Sequence, residues 1–200
     1  SHSFQRSMAG LNEKRAKIQN NFWSWRDLMY SFIERLTPDH IEAIAALVFM
    51  EMLESGYASV GEFHYLHHQR GGKPYENFAE TSSRIFAAAL QTGIGLTHLP
   101  VFYMQGDLNG EQLSHAQLRF GNNADKYFIL LEQIEKEVQR APEDYMLGIA
   151  PHSLRAVSPG SLKEILNSRK FGPVHIHISE QQKEVEDFHC KFGKRPVNWL

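Results

Sequence analysis

Cysteine is almost missing from this 200-residue chain, which has Cys190 and no other. A single thiol cannot build an internal disulfide framework, and the composition fits a reducing, cytoplasmic compartment. Long apolar runs are missing too: nothing approaches the roughly 20 residues that span a bilayer. No membrane partner is therefore expected, and no signal peptide is visible. A charge excess of one sign is also missing. The formal net charge is −2, with no basic stripe for nucleic acid and no acidic tail that would stay disordered. No glycine-rich phosphate loop follows any expected strand, which counts against the nucleotide-binding α/β folds. What is present is enough chain for one domain with a substantial core. The 11 histidines stand out, and their clustering matters more than their number.

Helical and strand patterns alternate along the chain. Residues 11–36 read as a helix with a polar first half and an aromatic second half around Trp25-Arg26. Thr37-Pro38-Asp39 starts another helix, with a capping hydroxyl, a first-turn proline and an acid at the positive end of the dipole. Ile41, Ile44, Ala45, Val48 and Met52 carry it and Gly56 stops it. Then come a strand (57–65), a helix (75–92), a strand (94–103), a polar loop (105–123) and a helix (124–140) with Tyr127, Leu130, Leu131, Ile134 and Val138 on one stripe. A strand at 145–150, a helix at 159–169, a strand at 173–180 and a helix at 181–192 follow. The last helix turns Val185, Phe188 and Phe192 inward, and Cys190 beside them reads as structural. Val197-Asn198-Trp199-Leu200 reads as the start of a further strand, and both ends look cut, as in a piece of a longer protein. This alternation predicts a parallel sheet. A (β/α)8 TIM-like barrel is its natural closed form, with somewhat more than half of it in this chain; a doubly wound open sheet is the competitor.

Chemistry collects where strands end. In Pro173-Val174-His175-Ile176-His177-Ile178-Ser179-Glu180, period two puts His175, His177 and Ser179 on one face and the apolar residues on the other. A strand buried on both sides with one polar face suits a barrel whose lumen meets a reaction centre. Gly148, Ala150 and His152 repeat the logic, with small residues below a polar tip. The strand ends together offer His2 and Gln5, His64 and Tyr65, His152 and Arg155, and His177 and Glu180. Histidines on separate strand ends beside a glutamate suit a divalent metal of the zinc class, which makes hydroxide available near neutral pH. Hydrogen-bonded core histidines are the plainer reading of any one such pair.

Four blocks, Ser1-His2-Ser3-Phe4-Gln5-Arg6, Gly61-Glu62-Phe63-His64-Tyr65-Leu66-His67-His68, Ala150-Pro151-His152-Ser153-Leu154-Arg155 and His175-Ile176-His177-Ile178-Ser179-Glu180-Gln181, resemble the formimidoylglutamate deiminases of the metal-dependent amidohydrolase superfamily. The resemblance spans essentially the whole chain. It implies the central part of one barrel domain and a zinc enzyme of histidine degradation, which hydrolyses N-formimidoyl-L-glutamate to N-formyl-L-glutamate and ammonia. It further implies His2 and His177 as metal ligands, with other ligands before Ser1 and after Leu200, and Glu180 as catalytic proton shuttle. The substrate has two carboxylates, which forked guanidinium groups suit. Arg26 and Arg155 are the expected anchors; Gln5, Tyr65 and His152 are the expected hydrogen-bonding partners. A homodimer is allowed for, with no interface located. A superfamily deaminase acting on a purine- or pterin-like ring is the alternative, sharing His2, His177 and Glu180 without needing two arginines. A non-catalytic barrel remnant is the third reading. His64, His67 and His68 read as loop supports or solvent-facing, and His40, His98, His115 and His189 as incidental.

Overall fold

The computed structural model describes residues 1–10, 22–168 and 172–200. Its centre is a parallel sheet. β1 (Ser59–His64) pairs with β2 (Gly95–Phe102), with Ser59 facing Gly95 and His64 facing Pro100. β2 then pairs with β3 (Met146–Leu147) and β4 (Ala150–Pro151), two halves of the one strand expected there. Thr97 faces Met146 and Val101 faces Ala150, so the register is kept across the break. The break falls at Gly148, where a Cβ would come within 2.5 Å of the Pro173 carbonyl oxygen and 2.6 Å of Leu99 Cδ2. Only glycine fits so close an approach.

The 173–180 stretch joins this sheet, but not as the continuous strand expected. It makes two separate parallel bridges, Val174 with Ile149 and His177 with Ser153. Ile149 N donates to Pro173 O (3.0 Å), His175 N to Ile149 O (3.0 Å) and His177 N to His152 O (2.9 Å). The 149–153 side therefore carries one residue more than its partner, as in a β-bulge. Burial on both faces is not met either: Val174 is 44% exposed and His175 is exposed, while Ile176 and Ile178 pack on the core. On the far edge of the sheet Ser1 lies along β1, with Phe63 N donating to Ser1 O (2.8 Å). The strands follow one another in chain order, all parallel and joined by helices. This is part of the wall of a (β/α)8 barrel.

The helices are α1 (Phe22–Ile33), α2 (Pro38–Glu54), α3 (Glu80–Thr92), α4 (Ala124–Val138), α5 (Pro159–Asn167), α6 (Gln182–Phe192) and α7 (Pro196–Trp199). Residues 11–21 of the first expected helix, and the end of the helix expected at 159–169, lie outside the described residues. α2 begins as its sequence dictates. Thr37 Oγ1 accepts from His40 N, and Thr37 N donates to His40 Nδ1 (both 3.3 Å), so His40 completes the cap and is not incidental. Its buried stripe is Ile41, Ala45 and Phe49, the last unmarked by the sequence reading. α3 starts five residues later than expected because Asn77 Oδ1 accepts from Ala79 N (3.1 Å) and closes a turn first. α4 buries the expected Tyr127, Leu130, Leu131 and Ile134. Arg119, 1% exposed, donates to the carbonyls of Ile33, Leu36 and His68, and so ties the C-terminus of α1 to the β1 loop.

Two further expectations are corrected. Residues 197–200 begin no strand: Pro196 opens the short helix α7, and Trp199 packs at 5.7 Å from Phe188 and 5.8 Å from Phe192. Cys190 is exposed, on the side of α6 away from buried Phe188. No helix among the described residues is long and apolar enough to cross a membrane.

His64, His67, His68 and His98 are buried between the sheet, its loops and α3, so none faces solvent and His98 is not incidental. His64 Nε2 bonds to Thr81 Oγ1 (3.1 Å), His67 Nε2 to Val101 O (2.9 Å), His68 Nε2 to Gly121 O (2.8 Å) and His98 Nε2 to Ser82 Oγ (3.0 Å). Burial pushes all four imidazoles down, His98 to about 3. A histidine neutral when folded and protonated when unfolded stabilises the fold above the unfolded value and loses that contribution as pH falls. For His98 the loss between about pH 7.5 and about pH 5 amounts to about 2 kcal/mol. His98→Gln in the full-length protein keeps a donor for Ser82 and cannot titrate. Denaturant midpoints measured across that range should fall less steeply for the variant than for the wild type.

Candidate active site

The site is assembled from the two edges of the sheet. Ser1 beside β1 presents His2 at the sheet's carboxyl end, and the chain then turns into a 3₁₀ helix, Ser3–Met8. The turn is anchored from β1: Ser3 N and Ser3 Oγ both donate to Glu62 Oε1, at 2.8 and 2.7 Å. Glu62 is fully buried. From the other edge comes His177, held through its backbone by His152 O. Phe63 lies under both rings, stacked on His2 at 5.0 Å and edge-on to His177 at 4.4 Å. The two Nε2 atoms converge to 3.1 Å.

Burial, followed by the nearby His177 ring, lowers His2 to about 4. Burial also lowers His177, partly offset by Glu180, and drives His152 well down. The three rings are therefore neutral near pH 7, the form that binds metals. Tetrahedral zinc with Zn–N near 2.0–2.1 Å places its nitrogens roughly 3.3–3.4 Å apart. The 3.1 Å pair fits two corners of such a shell. Among the described residues no group of three or more histidine, cysteine or acidic side chains could hold a metal, so these residues offer a pair of ring nitrogens and not a full set.

All eight side chains singled out from the sequence meet around one cavity: His2, Gln5, Arg26, Tyr65, His152, Arg155, His177 and Glu180. Gln5 Nε2 donates to Tyr65 Oη (3.4 Å), and Tyr65 Oη approaches Met29 Sδ (3.6 Å). Burial pushes the Tyr65 phenol up, keeping it a neutral donor. His152 sits 5.1 Å from the His177 ring and 4.7 Å from Tyr103, with Nδ1 at 3.0 Å from Ser153 Oγ. Arg155 Nη2 donates to Glu180 Oε2 at 3.3 Å, so the expected anchor and the expected proton shuttle touch each other. Arg155 Nε is buried with no hydrogen-bond partner among the described residues. Arg26, on α1, has its guanidinium 5.7 Å from the Tyr30 ring. A second cavity, about 610 Å³, shares Arg26 and Arg155 as walls.

Several participants were not named from the sequence. Phe63 and Tyr103 share the parity of other lumen-facing residues, which was the available signal; Trp25, Tyr30 and Phe120 complete the aromatic lining. Glu62 gave no signal, because its partners are a backbone N–H and a hydroxyl 59 residues away. His64, expected at the strand end with Tyr65, points instead into the helical layer at Thr81.

Residues 1–198 match the profile of the Amidohydrolase family. Across its whole length the chain is 46% identical to the formimidoylglutamate deiminase of Pseudomonas aeruginosa, and it spans 44% of that curated relative. A crystal structure of an amidohydrolase from Brucella melitensis superposes with a TM-score of 0.95 at 48% identity, covering the whole chain and 44% of that protein. An adenosine deaminase from Xanthomonas campestris with bound zinc has the same fold, with a TM-score of 0.71 at 17% identity, covering 99% of this chain and 39% of that one.

Removing the Glu62 anchor releases Ser3 and with it the residue presenting His2 Nε2. In the full-length protein Glu62→Ala should lower zinc affinity by about 10- to 100-fold, the range for groups that orient metal ligands. Competition with a chromophoric chelator measures it, and Glu62→Gln, which keeps an acceptor for Ser3, should lose less.

Proposed function

This chain belongs to the amidohydrolase family, and on that footing we propose that the full-length protein is a zinc-dependent hydrolytic deiminase. In this reading it converts N-formimidoyl-L-glutamate to N-formyl-L-glutamate and ammonia, and residues 1–200 are the central part of its single barrel domain. The observation that carries the proposal is one cavity holding a converging imidazole pair, a carboxylate and two arginines. The 46% identity to a formimidoylglutamate deiminase supports the substrate, and zinc in a relative of the same fold supports the metal.

His2 and His177 hold the metal through Nε2, together with ligands supplied outside this chain. A divalent metal there supplies water made acidic enough to ionise near neutral pH. Glu180 accepts the water proton as oxygen adds to the formimidoyl carbon, then returns a proton to the departing nitrogen, which leaves as ammonia. His152, neutral and within the same cavity, donates to the reacting end. Arg26 and Arg155 line both the small cavity and the larger one beside it, so the substrate's two carboxylates extend from the reacting centre across that boundary. A carboxylate arriving at Arg155 competes with Glu180 for the same guanidinium, which couples substrate docking to release of the proton shuttle. Gln5 and Tyr65 complete the hydrogen-bonding wall.

A ring-directed deaminase is the second reading, favoured by the aromatic lining of Trp25, Tyr30, Tyr65, Tyr103 and Phe120. The two arginines favour the first reading, since a neutral ring gives them no anion to bind.

Glu180→Gln in the full-length protein should keep its zinc and lose nearly all ammonia release from formimidoylglutamate; normal turnover sinks the role given to Glu180. Arg155→Met should raise KM about 10- to 100-fold, the cost of a lost charge-assisted bond to a carboxylate. Turnover of guanine or adenosine in place of formimidoylglutamate would select the second reading.

A further inference from the structure

Glu184 lies four residues beyond Glu180 and is 6% exposed, the buried acid of α6. It occupies the third helical position, from which a glutamate ordinarily reaches back to the N–H of the capping residue. The capping residue here is Gln181, and Glu184 passes it by. Its Oε1 accepts from Ser179 N (3.3 Å) and its Oε2 accepts from Glu180 N (3.1 Å). Both carboxylate oxygens are thus spent on the two peptide groups leading into Glu180.

The backbone they hold is one that would not hold itself. Ser179 has φ 56°, in the left-handed region, and is the non-glycine residue there among the described residues. Such a conformation is costly for a residue with a Cβ and persists where the surroundings enforce it. It falls between His177, whose Nε2 meets His2, and Glu180, whose carboxylate meets Arg155. The bend decides where the Glu180 carboxylate stands relative to the imidazole pair. α6 has other means of staying in place: Phe188 is buried, and Gly193 closes its C-terminus in the left-handed conformation.

We propose that Glu184 is a positioning residue that clamps the Ser179–Glu180 turn, so that Glu180 can serve both proton transfers from one place. The inference rests on the reading of Glu180 as proton carrier. A group that must reach an attacking water and a departing nitrogen in turn tolerates little displacement, and a misplacement of about 1 Å can cost about 100-fold in rate. The clamp acts on turnover. Its hydrogen bonds go to Ser179 N and Glu180 N and not to the arginines or the imidazoles, so substrate affinity and metal content are left mainly to those groups.

Four variants of the full-length protein test this with formimidoylglutamate as substrate. Glu184→Ala should lower kcat by about 30- to 100-fold, with KM within about 3-fold and zinc content unchanged. Glu184→Gln keeps one acceptor oxygen and should lose less; if the alanine variant does not fold, it carries the comparison alone. Adding Ser179→Gly to Glu184→Ala should restore part of kcat, because glycine takes the left-handed conformation without a clamp. An ordinary helix cap predicts no such recovery. Wild-type kcat in Glu184→Ala, losses that track zinc content or melting temperature, or no recovery by glycine would each overturn the proposal. Glu180→Gln separates the two readings. If it stays active, the role of Glu180 fails; if it is dead while Glu184→Ala is normal, only the clamp fails.

Discussion

Everything in this site depends on two imidazoles from opposite edges of one sheet arriving 3.1 Å apart. His2 stands beyond β1 and His177 beyond β4, with β2 between, so the rings can meet only if the sheet curls through a large part of a circle. An open, doubly wound sheet would hold its edge strands far apart. The imidazole pair is thus a geometric report on barrel closure as well as a candidate metal position. Phe63 makes the convergence durable. One ring supports both histidines, burial keeps them neutral, and the space beneath them is filled.

Two buried carboxylates near this pair do similar jobs from outside it. Glu62 reaches from β1 to the residue after His2, and Glu184 reaches from α6 to the turn after His177. Neither lines the small cavity that holds the imidazole pair. Each uses charge-assisted bonds to backbone N–H groups, among the stronger hydrogen bonds available. Backbone placed this way fixes where a side chain begins, which loop contacts alone would leave loose.

Much of the fold was legible because local physics and tertiary structure agree. The Thr37-Pro38 start of α2 and the Tyr127-to-Ile134 stripe of α4 stand as read. The eight residues chosen for the site do share a cavity, since strand ends in a parallel barrel converge by construction and Arg26 joins them from α1. The misreadings have physical causes. Four residues such as 197–200 are too few to tell a helical turn from a strand, and Pro196 decided it. His98 carries no mark separating a buried imidazole from an incidental one until Ser82 is seen beside it. The clamping roles of Glu62 and Glu184 follow from which N–H groups lack other partners, and only the folded backbone shows that.

The extra residue between Ile149 and Ser153, opposite the shorter path from Val174 to His177, also bears on how such a pocket can change. Side chains on a strand alternate between faces, so a one-residue shift in pairing swaps lumen for helical layer. His152 lies inside that irregular stretch and lines the cavity. Deleting one residue there would change which side chain faces the cavity and leave β1 and β2 where they are. The wall can thus be re-equipped by a change in length, at a point where the sheet already tolerates irregular pairing.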